Sequence, residues 1–298
     1  MKIRIGYGLG TNSLTNDQER FTSFVDALEA HRFDSLWVSE RISGNSSDPV
    51  VAMAFAAART SKLKFGMSVM VLPGRNPVLV AKSMASLDRL SNGRLLPAFG
   101  LGAPNLAEWG AFAVDRKERA PMFDESLSLM RRLWSEDEVD HSGRFYSFEG
   151  VRVLPKPIQQ PLDVWLGGAA PSELRRVGRM ADGWLPSFCT PADVAAGMDT
   201  IKQVAAEHGR EIDEEHYGAL IAYRHGELSP QYVAAARARK PEVDPNDVIP
   251  RGFDELRRRI EGFCEAGASK FVLIPVDEPT DWNDELAAVA EALLPMQT

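Results

Sequence analysis

The pattern of apolar and polar positions predicts that strands and helices alternate along the whole chain. Eight short runs are almost continuously apolar or β-branched, which is typical of parallel strands covered on both faces. They span residues 3–8, 35–39, 63–69, 95–99, 164–166, 184–186, 218–223 and 271–274. Segments with helical spacing of apolar residues lie between them. Eight such repeats predict an α/β fold, a (β/α)₈ TIM barrel that forms a single domain over residues 1–298.

The predicted helices have recognisable ends. Asp48-Pro49, Asn76-Pro77 and Ser229-Pro230 each place a side-chain cap before a proline, whose missing N–H costs nothing in the first turn. Residues 15–18 fit a capping box. Two segments interrupt the repeat, at about 135–161 and 240–251, and we expect both to be insertions in the barrel.

Composition and charge exclude several classes of protein. The chain has 298 residues, 44% hydrophobic and 26% charged, with a formal net charge of −8. No basic stripe interleaves with aromatic residues, so we expect no nucleic-acid partner. No apolar run is long enough to span a membrane, and the first residues contain no apolar export signal. Together with two widely separated cysteines, Cys189 and Cys264, this predicts a cytoplasmic protein.

In a TIM barrel the reacting groups lie at the carboxyl ends of the strands. Here those ends are small and apolar, as at Gly100, Leu101 and Gly102, and they suit a planar ring better than a hydrated metal. After the fifth strand, small residues lead into a helix that begins at Pro171, namely Gly167, Gly168, Ala169 and Ala170. Backbone N–H groups at such a helix start favour an anion, which predicts a phosphate site. A tight turn without a ligand remains the alternative.

Other ligand motifs are weak. The segment Gly6-Tyr-Gly-Leu-Gly10-Thr is similar to the start of a dinucleotide fingerprint, but its sixth position is Thr11 instead of glycine or alanine. This argues against binding of NAD(P). None of the five histidines has a second ligand at metal-binding spacing, so no metal site is predicted. His216 and His225 flank the seventh strand, and His225 is at its carboxyl end.

One long motif carries a family resemblance. Asn76-Pro77, then Leu87-Asp-Arg-Leu-Ser-Asn-Gly-Arg94, then Gly100-Leu-Gly102 resembles the bacterial-luciferase-like monooxygenase superfamily. The resemblance implies a TIM barrel that uses FMN or the deazaflavin coenzyme F420. It implies a ring over Ser68, Val69 and Met70, a non-prolyl cis peptide at Ser68–Val69, and the cofactor phosphate near residues 167–170.

Three charged residues are the predicted catalytic groups. Relatives commonly carry an acid followed by histidine after the second strand, and Glu40 matches the acid whereas Arg41 replaces the histidine. Arginine does not exchange protons near neutral pH, but it binds carbonyl, carboxylate or phosphate groups. A structural pair of Glu40 with Arg41 is the alternative. Glu108 is either a desolvated proton donor near the ring or a solvated loop carboxylate.

Taken with these residues, the resemblance implies an F420-dependent oxidoreductase that performs two-electron hydride transfer on a small organic substrate. The alternatives are an FMN-dependent monooxygenase, which uses O₂ and is supplied by a separate reductase, and a non-enzymatic barrel that carries a ligand. The resemblance also implies a homodimer, for which the alanine-rich helix at 49–60 is the predicted contact.

Overall fold

The computed structural model describes residues 1–102, 106–241 and 243–298. Its strands are β1 Arg4–Gly8, β2 Ser35–Val38, β3 Lys64–Met67, β4 Met70–Val71, β5 Leu95–Leu96, β6 Ala98–Gly100, β7 Val139–Ser142, β8 Ser147–Val151, β9 Trp165–Leu166, β10 Gly183–Trp184, β11 Gly218–Tyr223 and β12 Lys270–Pro275. Its helices are α1 Gln18–His31, α2 Pro49–Arg59, α3 Pro77–Leu90, α4 Leu106–Phe112, α5 Arg119–Ser135, α6 Pro171–Met180, α7 Pro191–Glu207, α8 Pro230–Arg239, α9 Pro245–Val248, α10 Gly252–Glu265 and α11 Trp282–Leu293.

The chain forms two compact units, each built from separated segments. Unit 1 comprises Met1–Leu9, Ala27–Trp37 and Gly167–Thr298. In it β11, β12, β1 and β2 pair in parallel, with Tyr7 opposite Leu273 and Tyr223 opposite Pro275. Large aromatic side chains fill its core, among them Trp184, Tyr217 and Phe271.

Unit 2 comprises Gly10–Asp26 and Val38–Leu166. Here β3 pairs with β5, and β6 pairs with both β4 and β9, all in parallel. The strands β7 and β8 form an antiparallel hairpin within the insertion predicted at 135–161. Parallel strands connected through helices require cover on both faces, as the apolar sequence runs indicate.

All eight predicted strands are present, and the fourth is divided. The fourth breaks into β5 and β6 at Pro97, which has no N–H for a ladder hydrogen bond. The third is shorter than predicted and ends at Met67, and a separate short strand, β4, begins at Met70. The second predicted insertion contains the short helix α9, whose N-cap is Asp244. Glu242, which belongs to that insertion, lies outside the described residues.

The predicted caps Asp48, Asn76 and Ser229 all accept hydrogen bonds from the first turns of their helices. The capping box predicted at 15–18 is wrong. Thr15 instead accepts from the backbone N–H of Ser47 at 2.8 Å, and Asp17 accepts from Arg20 N–H at 3.0 Å at the start of α1. The threonine hydroxyl is used to hold a distant loop, which local spacing does not reveal.

Candidate active site

In unit 2, Ser39 follows β2 and Ser68 follows β3. We call the small surface formed by Ser39, Ser68 and Val69 the ledge. The Ser39 Oγ donates to the Ser68 carbonyl at 3.1 Å, and the two hydroxyl oxygens are 3.2 Å apart. The Ser68–Val69 peptide bond is cis, which confirms the geometry implied by the resemblance. Ser68 and Val69 are partly exposed, whereas Met70 is 2% exposed. The Met70 side chain therefore belongs to the core, and Met70 offers a ligand only its backbone.

Gly100, Leu101 and Gly102 continue the strand end beside this ledge. A Cβ on Gly100 would collide with a methyl group of Val69, and Gly102 has φ of +90°, which favours glycine. The Leu101 carbonyl accepts from the Arg119 guanidinium at 3.0 Å. The close approach of the two chain segments thus depends on the small residues that the sequence singled out.

Glu40 pairs with Arg75. Its Oε2 accepts from the Val71 N–H at 2.7 Å, and its Oε1 bonds the Arg75 guanidinium. The side chains of Glu40 and Arg75 are 3% and 26% exposed. Burial raises the pKa of Glu40 above its ordinary value, against the lowering influence of the Val71 N–H and of Arg75. The alternative in which Glu40 pairs with Arg41 is wrong, since no ion pair joins these two described residues.

Glu108 anchors the loop that follows β2. Its carboxylate accepts from the backbone N–H groups of Ile42 and Ser43 at 3.1 and 3.0 Å, and also bonds the Ser43 hydroxyl. These hydrogen bonds, led by the hydroxyl of Ser43, hold the pKa of Glu108 below its ordinary value. Glu108 is buried and ionised at neutral pH, which suits an acceptor that fixes a loop better than a proton donor.

The structure brings the three predicted catalytic residues together. Glu40, Arg41 and Glu108 line one cavity of about 30 Å³, together with Gly102, Trp109, Phe112 and Val71. This volume holds one or two water molecules and is far too small for a cofactor ring. Arg41 itself is exposed. The cavity can accept a small polar group of a ligand, such as a carbonyl oxygen, while the rest of that ligand lies outside it.

The turn at Gly167, Gly168, Ala169 and Ala170 lies in unit 1 and leads into α6 as predicted. Gly168 has φ of +86°, and Trp184 donates to its carbonyl at 2.8 Å. The N–H of Ala170 donates to the Glu173 carboxylate at 3.0 Å, so a negative charge already occupies part of this helix start. A phosphate bound here must use the remaining N–H groups beside that carboxylate.

Unit 1 also contains a larger cavity, of about 460 Å³, at the carboxyl ends of β11 and β12. Its volume is typical of small-molecule sites. Tyr223, Arg224 and His225 form one wall, and acidic residues form the other, namely Asp277, Glu278, Asp281, Asp284 and Glu285. Sequence reasoning placed His225 at this end but missed Glu285, because a glutamate in the first turn of a helix carries no distinctive signal.

A hydrogen-bonded chain leads from this cavity into the core. His225 Nε2 is 3.0 and 3.1 Å from the two carboxylate oxygens of Glu285. Tyr223 donates to Glu285 at 2.5 Å, and its oxygen is 2.7 Å from that of Tyr7. Because the Tyr223 proton is used by Glu285, the Tyr7 hydroxyl is the donor in the second bond. Burial raises the pKa of both tyrosines, which therefore stay protonated at neutral pH.

The described residues contain neither a cluster suited to a metal ion nor a helix suited to a membrane. Across residues 1–102, 106–241 and 243–298, no group of three or more His, Cys, Asp or Glu side chains is arranged to hold a metal ion. In the same part of the chain, no helix combines the length and apolar character that crossing a membrane requires.

Similarity to solved structures confirms the fold. The chain is 20% identical to an F420-dependent secondary alcohol dehydrogenase in complex with an F420–acetone adduct, with a TM-score of 0.80 over 100% of both chains. It is 16% identical to the oxygenating constituent of 3,6-diketocamphane monooxygenase of Pseudomonas putida, in complex with FMN, with a TM-score of 0.77 over 100% of this chain and 99% of that one. The α/β barrel class predicted from the sequence is therefore correct.

Sequence similarity then identifies the family. The chain belongs to the luciferase-like monooxygenase family, whose model matches residues 2–240. It is 28% identical over 205 residues to the F420-dependent glucose-6-phosphate dehydrogenase of Kineococcus radiotolerans. That match covers 66% of this chain and 58% of the relative, so the chain spans less than two thirds of that relative's length.

Proposed function

We propose that this protein is an F420-dependent oxidoreductase that transfers a hydride between the deazaflavin and a small organic substrate. The observation that carries this proposal is the similarity to relatives named F420-dependent glucose-6-phosphate dehydrogenase, at 26–31% identity. When bound, F420 supplies two-electron chemistry, because its ring takes up or releases a hydride. The protein supplies binding, orientation and charge.

The residues of the ledge fit a planar ring. Ser68 and Val69 are partly exposed, and the neighbouring strand end carries no side chain at Gly100 or Gly102. We assign the ring to Ser68, Val69 and the Met70 backbone, with Gly100, Leu101 and Gly102 at its edge. We assign the cofactor phosphate, separately, to the backbone of Gly167, Gly168, Ala169 and Ala170.

Arg41 and Glu40 have different roles in this proposal. Arg41 is exposed and carries a planar fork of N–H donors, so it binds a carbonyl or carboxylate of the substrate. Glu40 holds the β4 end through Val71 and Arg75, and its buried carboxylate keeps the Arg75 guanidinium in place. Glu108 positions the loop that carries Arg41.

Fluorescence titration with F420 and with FMN tests the choice of cofactor. We expect F420 to bind at least tenfold more tightly than FMN, which corresponds to about 1.4 kcal/mol. Much tighter binding of FMN would replace this proposal by an FMN-dependent monooxygenase. Binding of neither cofactor would contradict enzyme function of this kind.

We also propose a homodimer that forms through α2 and α3. In α2, Ala52 and Ala56 are buried within unit 2, so the alanines predicted for the interface pack partly inside the subunit. Val51 and Leu79 are 65% and 66% exposed and provide an apolar surface. Light scattering should give twice the 32.9 kDa chain mass, and Val51→Glu with Leu79→Glu should give the monomer.

A further inference from the structure

The small cavity of unit 2 restricts both the charge and the shape of the group that can enter it. We propose that the substrate is a small carboxylic acid whose carboxylate enters this cavity and pairs with Arg41, and that Trp109 is the specificity-determining residue that excludes larger, tetrahedral anions. This inference rests on the proposed function, and it adds the substrate class and a residue that the sequence did not single out.

The two glutamates of this cavity already have hydrogen-bond donors. Glu40 accepts from the Val71 N–H at 2.7 Å and also bonds the Arg75 guanidinium. Glu108 accepts from two backbone N–H groups and one hydroxyl of the loop after β2. These donors offset the negative charge of both carboxylates, so the two glutamates do not by themselves exclude an anionic group from the cavity.

Arg41 is the cation of the lining whose donors remain available. It is exposed and lines the cavity, and no hydrogen bond or ion pair joins its guanidinium to another of the described residues. A guanidinium presents paired N–H groups that match the two oxygens of a carboxylate. We therefore expect Arg41 to select an anionic group over a neutral group of the same shape.

The size of the cavity favours a planar anion. Its volume of about 30 Å³ holds one or two water molecules, which is comparable to the two oxygen atoms of a carboxylate. A sulfonate or a phosphate monoester carries three free oxygen atoms around a tetrahedral centre and needs more room. The phosphate of a phosphorylated sugar, as in the name of the Kineococcus relative, therefore does not fit this cavity unless its walls move.

The Trp109 indole forms the wall that sets this size. Trp109 lines the cavity together with Phe112 of the same helix, α4. The guanidinium groups of Arg119 and Arg116 lie over the indole, 4.3 and 5.1 Å from its centroid. Arg119 also donates to the Leu101 carbonyl at 3.0 Å. Because cation–π contacts hold an aromatic ring in place, Trp109 is tied through Arg119 to the end of β6.

The residue before Trp109 fixes the same helix. Glu108 is buried and joins α4 to the loop after β2 through its bonds to Ile42 and Ser43. The indole is thus held both through the backbone of α4 and through the guanidinium groups over its ring. A wall held in this way discriminates between ligands by shape, whereas a mobile side chain adapts to each of them.

The other charges beside this wall favour an anion. Glu118 is paired with Arg144. Arg116 and Arg119 have no carboxylate partner in the part of the chain that the structure describes. Burial, and then the neighbouring Arg116, lower the pKa of Arg119 below its ordinary value, as expected where no carboxylate is close. Both guanidinium groups therefore add positive potential beside Trp109.

Titration with three small probes tests charge and shape separately. Acetate is a planar anion, acetamide is its neutral counterpart, and methanesulfonate is a tetrahedral anion of the same charge. The backbone N–H signals of Ile42 and Ser43, which bond to Glu108, report binding in ¹H–¹⁵N spectra of the protein without cofactor and with F420. We expect acetate to bind roughly tenfold more tightly than acetamide and roughly tenfold more tightly than methanesulfonate.

Two variants separate the contributions of charge and shape. Arg41→Gln should remove the preference for acetate over acetamide, because it removes the cation. Trp109→Phe should reduce the preference for acetate over methanesulfonate and keep the preference over acetamide, because the smaller ring enlarges the cavity. Lys117→Gln, which removes an exposed cation, is the control for Arg41→Gln. Phe145→Leu is the control for Trp109→Phe, because the Arg144 guanidinium lies over the Phe145 ring at 5.1 Å, outside this cavity.

The outcomes separate this inference from the proposed function. Failure of F420 to bind contradicts the proposed function and leaves the titrations of the cofactor-free protein as the test of the cavity. Absence of acetate binding, or equal binding of acetate and acetamide, with and without F420, overturns the substrate class. Equal or tighter binding of methanesulfonate by the unaltered protein, or an unchanged preference in Trp109→Phe, overturns the role of Trp109.

Discussion

The two cavities of this protein hold their carboxylates in contrasting ways. In unit 2, Glu40 is 3% exposed, is paired with Arg75, and lines a cavity of about 30 Å³. In unit 1, Glu285 is 10% exposed, accepts from Tyr223 and His225, and lines a cavity of about 460 Å³. Arginine keeps its proton at all relevant pH values, whereas histidine exchanges it.

The contrast separates a structural carboxylate from a chemical one. A buried carboxylate bound to a permanent cation stabilises its surroundings and does not change its partner's charge. A carboxylate bound to an accessible histidine can assist proton transfer to a ligand. The residues nearest to the family motif therefore line the smaller of the two cavities, and the larger cavity is lined by residues outside that motif.

The largest expected effect comes from breaking the buried pair. Arg75→Ala leaves Glu40 without its cation, and we expect the free energy of unfolding to fall by about 3 kcal/mol, as is typical for a buried carboxylate that loses its partner. Chemical denaturation measures this loss. Since the pKa of Glu40 is already raised by burial, the loss should be larger at pH 8 than at pH 5, where the carboxyl holds a proton more readily.

Arg59→Ala is the matched control, because Arg59 forms a two-bond pair with Asp26 at the surface. We expect little change in stability there. Adding Glu40→Gln to Arg75→Ala should restore part of the loss by removing the buried charge. Equal effects of Arg75→Ala and Arg59→Ala would show that the Glu40 pair is no more important than a surface contact.

The sequence predicted the fold well because its signals are local. Apolar runs marked all eight strands, and side-chain caps followed by proline marked the starts of α2, α3 and α8. The fourth strand is divided at Pro97, which has no N–H to donate to a neighbouring strand. The hairpin of β7 and β8 was missed because its strands are polar and largely exposed, without the alternation that a half-buried strand shows.

The site was predicted only in part, because partners come from distant segments. Glu40, Arg41 and Glu108, each singled out from the sequence, line one cavity in the structure, and their catalytic role stays a prediction. Arg75, the partner of Glu40, was missed since it lies 35 positions away after a Pro-Gly turn. Glu285 was missed for the same reason, being 60 positions from His225. Spacing rules detect neighbours on one element and do not detect pairs formed by the fold.

A second prediction sharpens the description of the Glu285 site. Tyr223→Phe removes a hydrogen bond to a charged carboxylate and one to Tyr7, and we expect a loss of about 2 kcal/mol in unfolding free energy. Tyr7→Phe removes the neutral bond alone and should cost about 1 kcal/mol. Thermal and chemical denaturation of both variants gives the comparison. A greater loss of unfolding free energy in Tyr7→Phe would contradict the assignment of Tyr7 as the donor to Tyr223 and of Tyr223 as the donor to Glu285.

A third prediction uses the opposite pKa shifts of two carboxyls in the small cavity. Burial raises the pKa of Glu40, so its contribution to stability is present at low pH and is lost as pH rises through the raised value. Hydrogen bonds from Ser43 lower the pKa of Glu108, so its contribution is present above the ordinary glutamate value and is lost as pH falls through the lowered one.

Unfolding free energies of Glu40→Gln and Glu108→Gln between pH 3 and 8 test these signs. The difference from the unaltered protein should change with pH in opposite directions for the two variants. Parallel profiles would mean that both carboxyls have the same environment, contrary to their contacts.

The smallest expected effect concerns the phosphate turn, where a fixed carboxylate and a bound anion would compete. Glu173 accepts from the Ala170 N–H at 3.0 Å at the start of α6. Glu173→Gln keeps the size of the side chain and an acceptor oxygen but removes the negative charge. If the cofactor phosphate binds at Gly167, Gly168, Ala169 and Ala170, F420 affinity should rise two- to fivefold, which corresponds to less than about 1 kcal/mol.

Glu207→Gln is the control for this change, because Glu207 lies at the far end of the next helix, α7. The gain in Glu173→Gln should also shrink as salt increases, since exposed charges are screened over about 8 Å at physiological ionic strength. Gly168 is a poorer probe of the same turn, because any Cβ there would collide with the Glu173 carboxylate and would strain a φ of +86°. Unchanged affinity in Glu173→Gln at low salt would move the phosphate away from α6.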